Sequence, residues 1–114
     1  MITIYHNPRC KKSRAGLAHL EGKGVEFEVK NYLKEGIGPD ELKDLLVKMN
    51  AKPQDMIRTQ EADYKSKFRG KDFTDDEWIK IMADNPKLIK RPVVVKKYKA
   101  VWADPPENMD ALFD

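Results

Sequence analysis

The sequence begins with a stretch that decides its fold, ITIYHNPRCKKSR at residues 2–14. Residues 2–5 are rich in β-branched and aromatic side chains and lead into an Asn-Pro pair, a pattern typical of a strand followed by a turn. The only cysteine of the chain, Cys10, follows where a helical pattern begins. Because a helix start presents unpaired backbone N–H groups and the positive end of the helix dipole, it favours a thiolate. The stretch therefore predicts a reactive thiol at a strand-to-helix turn.

Four cationic residues flank this thiol in the sequence, namely Arg9, Lys11, Lys12 and Arg14. Their placement indicates a small anion near Cys10, although positive charge in the first turn opposes the helix dipole. Each of them is more simply interpreted as part of a solvated charged face. Arg14 is the one best placed for a supporting role beside the thiol.

The composition is that of one globular domain, which we expect to span residues 1–114 as a monomer. Hydrophobic residues make up 40% of the chain and charged residues 36%, which argues against disorder. No apolar run approaches the ~20 residues of a spanning helix and no signal pattern opens the chain, so we expect a cytoplasmic protein with no membrane partner. A net charge of +3, with the two signs mixed along the chain, argues against nucleic acid as a partner.

A single cysteine cannot form an internal disulfide, which fits a reducing compartment. The ordinary interpretation of a free cysteine is a small buried hydrophobe, inert because apolar surroundings raise its pKa. The position of Cys10 at a helix start, among cations, instead favours a depressed thiol pKa. The sequence contains no cluster of metal-ligating residues, so we expect neither a metal site nor a bound cofactor.

The order of predicted elements is βαβ, then helices, then ββα. Apolar residues at positions 17, 18 and 20 predict a short helix that ends near Gly22, and alternation at positions 25, 27 and 29 predicts a strand with one buried face. Such a βαβ unit is normally parallel. Cys10 would then lie at the carboxyl end of the first strand, where α/β sheets bind their ligands.

The middle of the chain, approximately residues 39–86, is predicted to be a helical insertion, and residues 32–38 before it a loop. Its signals are an apolar stripe at positions 42, 45, 46 and 49 and a capping box at residues 74–77. The continuous apolar run Val93–Val95 predicts a strand buried on both faces, with residues 100–102 as its hairpin partner. Pro105 and Pro106 open a final helix.

Four motifs, taken together, are far more specific than a bare Cys-x-x-Ser. They are Tyr5-His6-Asn7-Pro8-x-Cys10-x-x-Ser13-Arg14, Arg58 after a helical turn, Phe73-Thr74-Asp75-Asp76, and Ile89-Lys90-Arg91-Pro92-Val93-Val94-Val95. This combination, which covers nearly the whole chain, resembles the glutaredoxin-linked arsenate reductase family. The resemblance implies a thioredoxin-like α/β fold, with a four-stranded mixed sheet and a helical insertion between its halves.

The resemblance also implies a reaction in which Cys10 attacks arsenate and forms a covalent arsenic–sulfur intermediate. Glutathione then adds as a co-substrate, and glutaredoxin resolves the mixed disulfide while arsenite leaves. Arg58 and Arg91 match the arginines that hold the oxyanion. Pro92 matches the cis-proline that faces the active cysteine.

Two further residues are candidates for stabilising the thiolate. The resemblance gives this role to His6, and an imidazolium four residues before the thiol would favour the thiolate electrostatically. Ser13 lies one helical turn after Cys10, so its hydroxyl is within reach of the sulfur. The alternatives remain a histidine that hydrogen-bonds the turn and a serine that caps backbone N–H groups.

One position departs from the family pattern. Active reductases carry a third arginine just after the last strand, and this chain has Asp104 there. A carboxylate at that place would repel an oxyanion, since two unit charges 4 Å apart at an effective dielectric near 20 interact by about 4 kcal/mol. Lys96, Lys97 and Lys99 are the nearby cations in sequence that would have to compensate.

Two alternative functions remain open. Asp104 motivates a glutathione-dependent thiol reductase without arsenate activity. The second alternative is a regulator of the Spx type, which the same resemblance includes and which binds RNA polymerase. Those regulators commonly carry a Cys-x-x-Cys switch, and Ser13 at the second position makes this chain a poorer match to them.

Overall fold

A computed structural model describes residues 1–114 and contains one mixed sheet of four strands. β1 is parallel to β2 and antiparallel to β3, which in turn is antiparallel to β4, so the strand order is β2-β1-β3-β4. The strands are β1 (Ile2–Tyr5), β2 (Phe27–Lys30), β3 (Val93–Lys96) and β4 (Lys99–Trp102). This sheet confirms the predicted four-stranded mixed architecture, with its βαβ and ββα halves.

The helices follow the predicted order, and those between β2 and β3 form the insertion. Four are α-helical: α1 (Lys11–Glu21), α2 (Tyr32–Glu35), α3 (Pro39–Met49) and α4 (Asp75–Asp84). Shorter turns complete the chain: 3₁₀ helices at Pro53–Met56, Pro86–Leu88 and Pro106–Phe113, and a π-helical turn at Tyr64–Phe68. None of these helices combines the length and the apolar character needed to span a bilayer.

Two apolar clusters pack on the sheet, one on each face. Val93 belongs to the cluster formed with the insertion, and its neighbour Val94 belongs to the cluster formed with Leu20 of α1 and Met109 of the last helix. Successive strand residues point to opposite faces, so a strand covered on both sides has to be apolar throughout. The continuous run that begins β3 is explained by this arrangement.

The structure corrects three details of the sequence prediction. Residues 32–38, predicted to be a loop, begin with the short helix α2, which the Asn31 side chain caps. Val29 was expected on a buried face and is 47% exposed, because β2 is an edge strand. On α1, Leu20 is buried as predicted, but Ala18 is exposed and Leu17 only partly buried, and Ser13 and Gly16 complete the buried side.

Candidate active site

Cys10 is the N-cap residue of α1, just after the carboxyl end of β1. It has extended backbone angles, its N–H donates to the Asn7 carbonyl at 3.0 Å, and its carbonyl accepts from Arg14 N at 2.9 Å. These bonds fix a tight turn that leaves the thiol partly exposed beside the first turn of the helix. The predicted strand-to-helix position of Cys10 is therefore present in the structure.

The pKa of the Cys10 thiol is below its ordinary value. Partial burial raises this pKa, but the backbone N–H groups of Ser13 and Lys12 and the guanidinium of Arg91 lower it by more. Neither N–H group makes a hydrogen bond of regular geometry to the sulfur, so both act as nearby positive dipoles. The site therefore favours a thiolate, the reactive form of cysteine.

His6 and Ser13 form a buried pair beneath the turn. His6 Nδ1 lies 2.7 Å from Ser13 Oγ, and the Asn7 backbone N–H donates to the same oxygen at 2.9 Å. Burial lowers the pKa of His6, and the charge of Arg14 lowers it further against the opposing effect of the Ser13 contact. His6 is thus neutral at pH 7, and the structure does not support an imidazolium beside the thiolate.

Arg14 braces the same turn from outside. Its guanidinium donates to the Pro8 carbonyl at 2.9 Å, so it holds the loop that precedes Cys10. Ser13 and Arg14 are both tied to the loop at residues 6–8, and His6 itself lies within it. These residues position Cys10 through the loop, while the charge that acts on the sulfur comes from Arg91 and the helix start.

Arg91 is the buried cation of the site. Only 8% of the residue is exposed, one terminal nitrogen donates to the Lys87 carbonyl at 2.9 Å, and Nε is buried with no hydrogen-bond partner. A buried donor without a partner costs about 1–3 kcal/mol, so such groups are rare outside functional sites. An anion bound next to Cys10 would be a natural acceptor for this guanidinium.

Pro92 follows Arg91 and forms the wall against α1. The Arg91–Pro92 peptide bond is cis, the conformation expected of Pro92 by resemblance. The chain passes so close to α1 that a Cβ atom placed on Gly16 would lie 2.5 Å from Pro92 Cγ. Glycine at position 16 is what allows β3 to start beside the helix that carries Cys10.

Arg58 is brought to the site by a link between the insertion and the segment before β3. Ile57 forms an antiparallel bridge with Ile89, and Arg58 N donates to the Leu88 carbonyl at 2.7 Å. The guanidinium is not free, because its Nε and a terminal nitrogen donate to Glu61 Oε2 at 3.2 and 3.1 Å. The structure therefore brings Arg58 towards Arg91, but with its charge held by a carboxylate.

Tyr32 is a residue of this site that the sequence interpretation missed. It is 1% exposed and its hydroxyl donates to the Ile89 carbonyl at 3.1 Å. Burial raises the pKa of Tyr32 to about 12, while the charges of Arg91 and Arg58 oppose this rise. Its position just after β2 was the available signal, since the carboxyl ends of the parallel strands β1 and β2 share one edge of the sheet.

A model of the ArsC family matches residues 5–112 of this chain. The chain belongs to the ArsC family. A protein named arsenate reductase from Neisseria meningitidis serogroup A is 38% identical over 113 residues, which cover 97% of each chain. The solved arsenate reductase from Vibrio cholerae is 38% identical, with a TM-score of 0.92 over 96% of this chain and 95% of that one. The uncharacterised protein YfgD of Escherichia coli K12 is 40% identical and covers 95% of this chain and 92% of its own.

This ArsC family chain keeps Asp104 in an ion pair. Lys12 Nζ lies 3.3 Å from Asp104 Oδ2, and the Asp104 side chain is 21% exposed. The three lysines considered as compensating charges lie elsewhere, because the β3–β4 hairpin that carries them is at the end of the sheet where β1 begins. Lys12, in the first turn of α1, is instead the cation that offsets the carboxylate.

Proposed function

We propose that the protein is a thiol-dependent arsenate reductase in which Cys10 is the nucleophile. The observation that carries the proposal is a thiol of lowered pKa at the start of α1, beside a buried arginine with an unused donor. Membership of the ArsC family and two relatives named arsenate reductase support the choice of oxyanion. The lone cysteine fits a reducing compartment, so we place the reaction in the cytoplasm.

The Cys10 thiolate attacks the arsenic atom and an arsenate oxygen leaves as water after protonation, which forms an arsenic–sulfur bond. The sulfur of glutathione then attacks the Cys10 sulfur, and the electron pair of the breaking arsenic–sulfur bond reduces arsenic from the +5 to the +3 state. Arsenite leaves, and Cys10 remains joined to glutathione by a disulfide. Arg91 stabilises the anion throughout, because a guanidinium is always charged and donates in a planar fork.

The reductant has to come from outside the chain. A glutaredoxin-like thiol attacks the glutathione sulfur of the mixed disulfide, which frees Cys10 and transfers the glutathionyl group to the partner. Ser13 occupies the position where a second cysteine would resolve the intermediate internally, and a hydroxyl cannot form a disulfide. Glutathione and a redoxin of this type are therefore the proposed partners.

The test is arsenate-dependent oxidation of NADPH, coupled through glutathione, glutaredoxin and glutathione reductase. We expect turnover by the wild type and none above background for Cys10→Ser, because the hydroxyl of serine is a far poorer nucleophile at neutral pH. Ser66→Ala, a change at an exposed position of the insertion, serves as the control for handling and folding. Equal turnover by wild type and Cys10→Ser would contradict the catalytic role of Cys10.

A second candidate is a glutathione-dependent thiol reductase that does not act on arsenate. The observation that favours it is Asp104. Its carboxylate pairs with Lys12, so this lysine is not free to bind an oxyanion. Activity on a glutathionylated substrate with none on arsenate would select this candidate. If Asp104→Arg then created arsenate reduction, the carboxylate would be shown to be the reason.

A further inference from the structure

A cavity of about 380 Å³ lies between the loop that leads into Cys10 and the loop that follows β2. Its lining comes from the two loops that follow the parallel strands β1 and β2, and these loops leave the same edge of the sheet. The volume is within the range of small-molecule sites. The lining residues are Asn7, Pro8, Arg9, Asn31, Leu33 and Lys34, and we call this the Arg9–Lys34 cavity.

Two cations without partners stand at this cavity. Arg9 and Lys34 are exposed, and neither side chain takes part in any ion pair or hydrogen bond of the structure. Most other cations near the site are engaged: Lys12 by Asp104, Lys30 by Glu41 and Arg58 by Glu61. The free charges therefore favour an anionic ligand, and one with two separate negative groups matches them best.

The rest of the lining provides polar and apolar contacts. Asn7 is 7% exposed, its side-chain oxygen accepts from Arg9 N at 3.1 Å, and its amide hydrogens have no partner within the chain. Asn31 holds the opposite loop by accepting from Lys34 N at 3.3 Å. Leu33 adds a partly buried apolar wall. The cavity is thus held in shape by its own hydrogen bonds before any ligand arrives.

The cavity and the buried arginine belong to different segments around the thiol. Arg91 precedes β3, whereas the cavity lies between the loops after β1 and β2, and β1 separates β2 from β3 in the sheet. The loop at residues 7–9 that lines the cavity leads directly into Cys10. An oxyanion at Arg91 and a second reactant in the cavity would therefore be held by different residues.

We propose that the Arg9–Lys34 cavity binds glutathione, with its two carboxylates at Arg9 and Lys34 and its sulfur towards Cys10. This proposal rests on the proposed function for the identity of the reductant. Glutathione is a small thiol with a carboxylate at each end, so it matches two separated cations and a nearby nucleophile. The same cavity receives the glutathionyl group of the mixed disulfide.

Thiol–disulfide exchange tests the cavity without arsenate. The Cys10 thiolate attacks one sulfur of glutathione disulfide, the old disulfide bond breaks, Cys10 becomes joined to glutathione, and a glutathione thiolate leaves. The rate is measured by mass spectrometry for glutathione disulfide and, in parallel, for the uncharged hydroxyethyl disulfide. The second disulfide reports the reactivity of the thiol alone, since it has no carboxylates for the cavity to bind.

The variants are Arg9→Glu, Lys34→Glu and the double change, with Lys99→Glu as the matched control. Lys99 is exposed and begins β4 at the opposite end of the sheet. We expect each single variant to slow the reaction with glutathione disulfide by roughly two- to fivefold, as for the loss of an exposed ion pair. The ratio of the two rates should fall in the variants and stay unchanged in Lys99→Glu. Equal slowing with both disulfides, or no slowing with either, would overturn the proposal.

The disulfide-exchange assay can fail or succeed independently of whether the protein reduces arsenate. If the wild type does not reduce arsenate, the preference for glutathione disulfide is still measured on Cys10. If arsenate is reduced, we expect the double variant to raise the KM for glutathione and leave the KM for arsenate unchanged. An unchanged KM for glutathione would overturn the cavity assignment while arsenate reduction stood.

Discussion

The two arginines of the site differ in their hydrogen bonding. The guanidinium of Arg58 is hydrogen-bonded to Glu61, whereas Nε of Arg91 has no hydrogen-bond partner. Both contacts of the Arg58 guanidinium go to a single carboxylate oxygen, and the two side chains are 17% and 24% exposed. An oxyanion at Arg58 would have to compete with this carboxylate. Arg91, which is buried and has an unused donor, is therefore the stronger anion ligand of the two in this chain.

Glu61→Gln should strengthen arsenate binding, because the amide removes the negative charge that competes for Arg58. We expect the KM for arsenate to fall by about two- to fivefold, the range for one partly exposed ion pair. Steady-state kinetics at varied arsenate check this, with Glu21→Gln, a change at an exposed position of α1, as the control. A rise in KM would show that Glu61 positions Arg58 for the substrate instead.

Arg91→Gln should raise the thiol pKa of Cys10, because it removes a charge that stabilises the thiolate. A thiol of lower pKa is deprotonated at lower pH, so alkylation of the wild type should begin below the pH of an ordinary cysteine. In the variant, the midpoint should move to higher pH, and the rate near pH 7 should fall. The pH dependence of iodoacetamide alkylation measures both, and coincident profiles would contradict the role of Arg91.

At the scale of elements, the contact between α1 and the start of β3 decides how closely Cys10 approaches Arg91. Gly16 is buried in the middle of α1 against Pro92. Glycine within a helix costs about 1 kcal/mol relative to alanine, so the close approach of the two segments is maintained against helix propensity.

Gly16→Ala should destabilise the protein although alanine is the better helix former. The added methyl group meets Pro92 Cγ at 2.5 Å, and overpacking of this kind typically costs about 1–3 kcal/mol. Urea unfolding measures the free energy. Gly22→Ala is the control, because its Cβ has no contact closer than 3.4 Å and its backbone is already helical. A variant as stable as the wild type would show that the two segments separate easily.

The Phe73-Thr74-Asp75-Asp76 motif has a structural role at the start of α4. Phe73 packs edge-on against Trp78 with ring centroids 4.9 Å apart, and Thr74 forms the capping box with Glu77 at the start of α4. The Phe73-Thr74-Asp75-Asp76 motif therefore stabilises the start of α4 within the insertion and does not contribute to the thiol site. Its capping box was predictable from local spacing, whereas the aromatic cluster depended on tertiary packing.

At the scale of the whole molecule, local patterns were sufficient for the order of the elements and for the position of Cys10. Resemblance added Arg58, Arg91 and the thioredoxin-like sheet, which no periodicity reveals. Sequence could not show that Glu61 binds Arg58, that His6 is buried and neutral, or that the buried Tyr32 lies close to the charges of Arg91 and Arg58. The positions of Arg58 and Tyr32 depend on how the insertion folds back onto the segment before β3, through the bridge between Ile57 and Ile89. The burial of His6 depends on its contact with Ser13 of α1.

The central claim is that Cys10 and an oxyanion react, with glutathione as the second thiol. The most direct measurement is mass spectrometry of the protein after a single turnover with glutathione, without oxygen, in the presence or absence of arsenate. Glutathione alone cannot form a disulfide without an oxidant, so arsenate is the only electron acceptor available. We predict a glutathione adduct on Cys10 that appears only with arsenate and matches the arsenite released. An adduct that forms equally without arsenate, or no adduct at all, would contradict the account.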